Sequence, residues 1–268
     1  MANLNFSLLN IDKPSGPTSF QISDFIRKSL NLKKTSHMGT LDPKVTGVLP
    51  VTLGRTCKLS NYFMHKDKTY VGIMRLHEII SEKKLKQEMK NFIGKITQLP
   101  PIRSSVKRAE RVREVKTFKI LEIKEKDVLF ETRVEAGTYI RKICHDLGEK
   151  IGGAHMLELR RTQAGIFDES TAITLYEFEK LIQENKLDSV LVPAEEAIKK
   201  VLPEIQIRDD DLKHLLTGKP LMKKDFKNKI PEEEKFAAFI GDKFVGVYKK
   251  FEDGDIVARA EFVYTSFP

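Results

Sequence analysis

The spacing of apolar residues predicts four helices in the larger, N-terminal part of the chain. In residues 18–30 an apolar side chain recurs every fourth position from Ile22 to Leu30, and Thr18 with Gln21 has the pattern of a capping box. Three further segments have the helical period: residues 81–93, residues 138–150 and the segment that begins at Thr174.

Alternating apolar and polar residues predict strands between these helices. Residues 68–77 have this pattern, and residues 117–123 and 128–136 flank a polar turn, which is typical of a hairpin. Helices mixed with antiparallel hairpins favour an α+β fold with a mixed, mainly antiparallel sheet.

A change of pattern near Leu202 predicts two domains, residues 1–200 and residues 201–268. After a short helix, the second part has three strand-like runs joined by tight turns, which favours a small, partly open β-barrel. The predicted elements of this part are the helix at 210–216 and the strands at 235–240, 244–249 and 256–264.

The charge is distributed unevenly between the same two parts. The 268 residues carry a net charge of +9, and residues 202–268 hold 12 Lys or Arg against 13 Asp or Glu, so residues 1–201 carry +10. A basic domain favours a polyanionic partner. The two cysteines, Cys57 and Cys144, cannot form a disulfide framework, which favours a reducing compartment.

The sequence lacks the signals that are typical of several classes of protein. The first 20 residues have no signal-peptide pattern, and no stretch approaches the roughly 18 apolar residues that span a bilayer, so we expect a cytoplasmic protein with no membrane partner. The chain has no GxxxxGKS/T loop or GxGxxG turn to hold a nucleotide. Its histidines are scattered, with no CxxC or HExxH, so we expect no zinc site.

The loop of residues 36–49 carries a cluster of polar side chains. Asp42 precedes a proline, which biases it toward extended backbone, and an Asp-Pro turn is the simpler interpretation. The loop is long for a turn, however, and it also contains His37, Thr40 and Lys44. A structural and a chemical role for Asp42 therefore both stay open.

Arg141 and Tyr70 are candidates in two other elements. Arg141 falls in the first turn of a predicted helix, where the helix dipole disfavours a cation. Pairing with an anion such as Asp42 or plain exposure to solvent would each explain it. Tyr70 opens a predicted strand, where an aromatic residue usually belongs to the core.

A basic run, residues 103–119, follows two prolines and contains seven basic and two acidic residues. It has few apolar positions, which is typical of an exposed arm. Lys107, Arg108 and Arg111 would then be available for phosphate contacts, although many such runs are only solvated faces.

Four motifs together resemble the TruB/dyskerin family of pseudouridine synthases. They are IDKPSGPTS, HMGTLDPKVTGVLP, KTYV and GTYIR through GAHMLELRRT, at residues 11–19, 37–50, 68–71 and 137–162. The resemblance covers residues 8–180 in order and implies the pseudouridine synthase fold for the large domain. The segment 201–268 resembles a PUA domain, which is a small RNA-binding barrel.

The resemblance implies an isomerase that converts a uridine in RNA to pseudouridine without a cofactor or a metal. The N1–C1′ bond is cleaved, the base rotates, and it rejoins the sugar through C5. Asp42 would be the catalytic aspartate, as a nucleophile toward C1′ or as an aid to glycal formation, and Arg141 would pair with it. Tyr70 would stack on the flipped base and assist proton removal.

Further site residues follow from the same resemblance. His37 would fill the space that the base leaves, and Leu159 would line the uracil pocket. Lys13 with Pro14 would shape the motif beside the active site.

The resemblance leaves two branches of the family open. The bacterial enzyme that modifies the tRNA TΨC loop without a guide usually has an insertion after the tyrosine strand, whereas residues 76–85 lead straight to a helix here. This resembles the archaeal dyskerin-type catalytic subunit, which works on rRNA and/or tRNA with an H/ACA guide RNA and small partner proteins. Three hypotheses therefore remain: a guide-dependent synthase, a guide-independent tRNA synthase and a non-catalytic RNA-binding scaffold.

Overall fold

The computed structural model describes residues 3–99, 108–208, 215–227 and 232–264. The α-helices in these ranges are α1 (Ser19–Ser29), α2 (Ser60–Met64), α3 (Glu82–Lys90), α4 (Ile140–Ile151), α5 (Leu175–Gln183) and α6 (Ala194–Lys199). Short 3-10 helices lie at Leu4–Phe6, Gly54–Leu59, Glu169–Thr171, Leu187–Ser189 and Lys223–Asp225. None of the helices in these ranges has both the length and the apolar character needed to cross a membrane.

A ten-stranded sheet forms the centre of the larger part, in the order β10-β1-β3-β8-β4-β7-β6-β5, with β2 paired to β3 and β9 to β8. Its strands are β1 (Ser7–Lys13), β2 (Thr35–His37), β3 (Thr46–Leu53), β4 (Lys68–Leu76), β5 (Gly94–Gln98), β6 (Arg111–Lys124), β7 (Asp127–Val134), β8 (Ala154–Ala164), β9 (Phe167–Asp168) and β10 (Val192–Pro193). The pair β3 and β8 is parallel, and the other strand pairs described in this sheet are antiparallel.

The C-terminal part forms a five-stranded sheet in the order β11-β13-β14-β15-β12. Its strands are β11 (Glu204–Gln206), β12 (Leu221–Met222), β13 (Lys235–Ile240), β14 (Lys243–Asp253) and β15 (Ile256–Val263). Register shifts in the pairs β13–β14 and β14–β15 mark bulges, which bend strands and curl a sheet. The α+β class with a mixed, mainly antiparallel sheet and a small curled C-terminal sheet is therefore confirmed.

The predicted helices are confirmed with small shifts at their ends. Thr18 and Thr174 both form complete capping boxes, at the starts of α1 and α5. The predicted helix at 210–216 lies almost wholly outside the described residues. The large sheet ends at Pro193 and the small one begins at Glu204, and a domain boundary after residue 200 stays a prediction.

The prediction of an exposed arm over residues 103–119 is wrong from Arg111 onward, because β6 begins there and pairs with β5 and β7. Val115 and Phe118 of this strand are buried. Bulges in the pairing of β6 with β7 break the two-residue period, and its remaining side chains mostly face solvent. The alternation that reveals a strand is therefore hidden here. Residues 100–107 lie outside the described part of the chain.

Of the three apolar clusters in the described residues, two involve the large sheet. The first contains Leu85 of α3 and Leu147 of α4 together with Phe130 of β7. A second cluster spans both sheets and includes Phe6 before β1 and Phe239 of β13. The two sheets thus share a continuous apolar contact.

Candidate active site

Asp42 lies in the loop of residues 38–45 that joins β2 to β3, called here the Asp42 loop. The backbone on its N-terminal side is fixed by Ser19 of α1, whose hydroxyl accepts from the Leu41 N–H at 2.8 Å and donates to the Leu41 carbonyl at 3.0 Å. On the other side, the Pro43 carbonyl accepts from the Gly16 N–H at 2.9 Å. The aspartate is therefore held at a defined position by groups distant in sequence.

Lys13, the last residue of β1, supports the same loop from below. Its side chain is fully buried, and its ammonium group donates to three backbone carbonyls at 2.9 to 3.0 Å, those of Pro14, Pro43 and Val45. Burial lowers the pKa of Lys13, and the attraction of Asp42 opposes that shift. A buried lysine bound only by carbonyls holds a loop in one shape rather than pairing with an acid.

Arg141 is the second residue of α4, and its guanidinium forms an ion pair with the Asp42 carboxylate. Their side chains are 55% and 49% exposed, so the pair is open to solvent. The carboxylate compensates for the unfavourable place of a cation at a helix N-terminus. Of the two explanations that the sequence left open for Arg141, the structure shows the pairing.

Arg161 and Lys68 are buried cations beneath the Asp42 loop that the sequence reasoning did not single out. Arg161 is 1% exposed and donates to the carbonyls of Val48 at 2.7 Å and Gly39 at 3.0 Å. Lys68 donates to two carbonyls at 2.5 and 2.6 Å, and burial, reinforced by Arg161, lowers its pKa to about 8. One sequence signal was present: Arg161 stands two residues after the buried Leu159 on the same strand, where alternation predicts an apolar residue.

Close contact with Arg161 explains two glycines of this region. Gly39 has a φ of +96°, and a Cβ there would lie 3.3 Å from the guanidinium. Gly47 has a φ of +102° and is paired with Arg161 across β3 and β8, where a Cβ would collide with the backbone of β8. Glycine permits both this backbone conformation and this approach.

The other residues assigned by resemblance lie in the surrounding strands. His37 ends β2, and its Nε2 lies 3.3 Å from the Thr40 hydroxyl of the Asp42 loop. Burial, and then the charge of Arg161, lowers the pKa of His37. Tyr70 of β4 and Leu159 of β8 are each 8% exposed and lie on adjacent strands.

The basic residues predicted to contact phosphates are less closely tied to this site. Arg108 is exposed just before β6, and Arg111 opens that strand opposite Gln98 of β5. Lys107 lies outside the described residues. Within the described part of the chain, His145, Asp146 and Glu149 are the only group whose spacing suits a metal ion, but the Asp146 carboxylate is already paired with Lys142.

The Asp42–Arg141 pair lies within segments that match family models of pseudouridine synthases. The N-terminal domain model of the TruB family pseudouridylate synthases matches residues 27–82 and 77–140, and the tRNA pseudouridylate synthase B C-terminal domain model matches residues 141–199. The chain belongs to the TruB family of pseudouridylate synthases.

Curated archaeal proteins are similar to this chain. The probable tRNA pseudouridine synthase B of Methanothermobacter thermautotrophicus is 42% identical over 228 residues, which are 82% of this chain and 70% of that protein. The protein of the same name from Methanopyrus kandleri is 45% identical over 210 residues, which are 75% of this chain and 62% of that protein. The chain thus aligns with only part of these longer relatives.

Solved structures agree over nearly the whole chain. A crystal structure of a Cbf5-Nop10-Gar1 complex matches with a TM-score of 0.86 and 38% identity, covering 97% of this chain and 85% of the other. A structure of an H/ACA RNP bound to a substrate RNA containing 2′-deoxyuridine matches with a TM-score of 0.84 and 36% identity, with the same coverage. Both the large and the small sheet therefore have counterparts in these proteins.

Proposed function

We propose that this protein converts specific uridines of rRNA and/or tRNA to pseudouridine as the catalytic subunit of a guide-RNA-dependent H/ACA ribonucleoprotein. The observation that carries the proposal is the Asp42–Arg141 ion pair, in a fold that matches chains of such complexes over 97% of its length. The short link between β4, which ends at Leu76, and α3, which begins at Glu82, also supports the guide-dependent branch.

Asp42 is the group that acts on the sugar in this proposal. A uridine within RNA structure must leave its stack before its N1–C1′ bond is accessible. The carboxylate then attacks C1′ or assists formation of a glycal, the base rotates, and a C5–C1′ bond replaces the original one. Arg141 orients the carboxylate, and because half of each side chain is exposed, bound RNA must supply the cover that excludes water.

Tyr70, Leu159 and His37 form the surroundings of the flipped base in this proposal. The side chains of Tyr70 and Leu159 present a mainly apolar surface on adjacent strands, which suits a uracil ring. His37 is held at the edge of the Asp42 loop by Thr40, where it can occupy the space that the base vacates.

The RNA itself is bound mainly through its phosphates in this proposal. The net charge of +10 over residues 1–201 favours contact with a polyanion, and Lys107, Arg108 and Arg111 are candidates for it. The small C-terminal sheet region is close to neutral and would fit RNA by shape. Small partner proteins are proposed by analogy with the Nop10 and Gar1 chains in the matching complex.

Guide dependence is tested by mapping pseudouridine in tRNA and rRNA transcripts. The protein is assayed alone, with an H/ACA guide RNA, and with the guide plus partner proteins. Modification that requires the guide supports the proposal. Full modification of the tRNA TΨC loop by the protein alone would instead favour the guide-independent function. The names of the curated relatives, which refer to tRNA, agree with that alternative. RNA binding without any modification would leave only the scaffold.

The catalytic role of Asp42 is tested by Asp42→Asn, which keeps the size of the side chain and removes its charge. We expect at least about a 10³-fold loss of single-turnover rate, or about 4 kcal/mol of transition-state stabilisation, with RNA affinity retained. Asp127→Asn is the matched control, because Asp127 forms an exposed ion pair with Arg75 elsewhere in the sheet. Pseudouridine formation by Asp42→Asn at the rate of this control would refute the assignment.

A further inference from the structure

The backbone of Tyr139 is held by a side chain from another element. Gln98 ends β5 and is 2% exposed. Its Oε1 accepts from the Tyr139 N–H at 3.0 Å, and its Nε2 donates to the Tyr139 carbonyl at 3.1 Å. A buried amide that binds both the N–H and the carbonyl of one residue fixes the direction of the backbone there as well as its place.

Tyr139 is the N-cap residue of α4, and its own side chain supplies no cap. The first N–H groups of a helix need partners outside the helix, and the residue at this boundary sets the angle at which the helix begins. Gln98 thus holds the backbone of the residue at which α4 begins.

A second contact from β6 steadies the same turn. Arg113 lies over Gly137, where a Cβ would be 3.3 Å from both Nε and Nη2 of the guanidinium, and it lies 3.6 Å from the Glu135 carboxylate. The Glu135 carbonyl accepts from the Thr138 hydroxyl at 2.7 Å. Residues 135–139 are thus held by side chains of the paired strands β5 and β6, and this set of contacts is called here the β5–β6 clamp.

The clamp ends two residues before Arg141, whose guanidinium binds Asp42. The Arg141 side chain is 55% exposed, so packing around the guanidinium does little to fix it. Its position depends mainly on the backbone from which it extends. A small rotation at the start of α4 would displace the guanidinium from the carboxylate.

We propose that Gln98 is a positioning residue for the reaction: it holds the start of α4 so that Arg141 meets Asp42. This inference rests on the proposed role of Asp42 and Arg141. Gln98 acts through Arg141, and its buried amide is committed to the Tyr139 backbone.

Gln98→Ala tests the proposal in whichever assembly, protein alone or guided ribonucleoprotein, forms pseudouridine. We expect the single-turnover rate at saturating RNA to fall about 10- to 100-fold, because small misplacements of reacting groups have effects of this size. The dissociation constant for RNA should stay unchanged. Thr97→Ala is the matched control: its side chain is exposed on the same strand, and its rate should equal that of the wild type. A wild-type rate for Gln98→Ala would overturn the proposal.

A double-mutant cycle separates positioning from general damage to the fold. In an Arg141→Ala background, Gln98→Ala should cause little further loss, because the residue through which it acts is already absent. Losses that multiply in the double variant would show that Gln98 acts independently of Arg141 and would overturn the proposal.

Two further measurements keep the proposal testable if Gln98→Ala folds poorly. Gln98→Met keeps the size of the side chain but loses both hydrogen bonds to the Tyr139 backbone, so it should lower the rate about as much as Gln98→Ala. Hydrogen exchange of residues 138–142 should be faster in both variants, and unchanged exchange there would contradict the proposal. Activity that survives Asp42→Asn would count against the proposed function, whereas an inactive Asp42→Asn beside a fully active Gln98→Ala would refute this inference alone.

Discussion

The Asp42 loop and the contact between the two sheets are both held by buried side chains, but of opposite chemical kinds. Under the loop, the side chains are the cations Lys13, Lys68 and Arg161, bound by backbone carbonyls. At the sheet contact, defined here by the rings of Phe6, Phe244, Phe262 and Tyr264, the closest pair is Phe6 with Tyr264, at 4.0 Å between ring centroids.

This difference separates what stabilises the protein from what shapes its site. Burying a cation costs free energy that hydrogen bonds only partly return, so the three cations add less net stability than the number of their hydrogen bonds suggests. Each one, however, gathers backbone carbonyls around a single charged group, which restricts the positions of the segments that carry them. Aromatic packing stabilises strongly but tolerates small shifts. Carbonyl-bound cations thus lie where Asp42 must be placed accurately, and aromatic rings lie where the two sheets only need to pack together.

The largest effect on stability is expected at the sheet contact. Phe6 is 2% exposed, and Phe6→Ala should lower the free energy of unfolding by about 3 to 5 kcal/mol while the rate of the remaining folded protein stays close to wild type. Urea unfolding and single-turnover kinetics measure the two quantities. Phe251→Ala, at a ring of β14 that is 37% exposed and lies against the Arg259 guanidinium, should cost only about 1 kcal/mol. A large loss of rate in folded Phe6→Ala would erase the distinction between the two regions.

Lys13→Met should lower the single-turnover rate, which Phe6→Ala should leave close to wild type. The variant keeps most of the side-chain length but removes a donor from three carbonyls, including that of Pro43 beside Asp42, which then keeps only the Gly16 N–H. We expect a loss of about 1 to 3 kcal/mol in the free energy of unfolding. We also expect a loss of about tenfold or more in single-turnover rate. The exposed Lys33→Met is the control for charge. If Lys13→Met were less stable but fully active, the buried cation would be a purely structural element.

Local signals explain which parts of the fold could be predicted from the sequence. The capping boxes at Thr18 and Thr174 involve residues three positions apart, so the sequence shows them directly. β6 was partly missed because its bulges and exposed charges conceal the alternation of a strand.

The residues of the site can also be divided into those that the sequence revealed and those that it did not. Asp42 and Arg141 were selected from motif resemblance, together with the unusual place of a cation at a helix start. Lys13 was selected in the same way, but the contacts of the supporting cations could not be read from the sequence, because their partners are backbone carbonyls: Arg161 binds the Val48 carbonyl 113 positions away. A carbonyl belongs to every residue and leaves no mark in the sequence. Gln98 escaped notice for the same reason, since it binds only the backbone of Tyr139.

The smallest expected effect is a pH dependence that arises at His37, beside the Asp42 loop. Because burial and Arg161 lower the pKa of His37 below its ordinary 6.5, the unfolded chain takes up a proton at a higher pH than the folded protein does. Stability is therefore retained above pH 6.5 and lost as the pH falls from there toward the lowered pKa.

His37→Gln should remove this dependence. Urea unfolding at about pH 7.5 and about pH 5 should show a smaller loss for the variant than for the wild type. Glu261 stands next to Phe262 of the sheet contact. Its pKa lies below the ordinary 4.5, because Lys235 and Tyr62 outweigh burial, which raises it. Glu261 therefore titrates below the pH range of this experiment. Equal losses in the wild type and in His37→Gln would assign the pH dependence to another group and remove this distinction between the two regions.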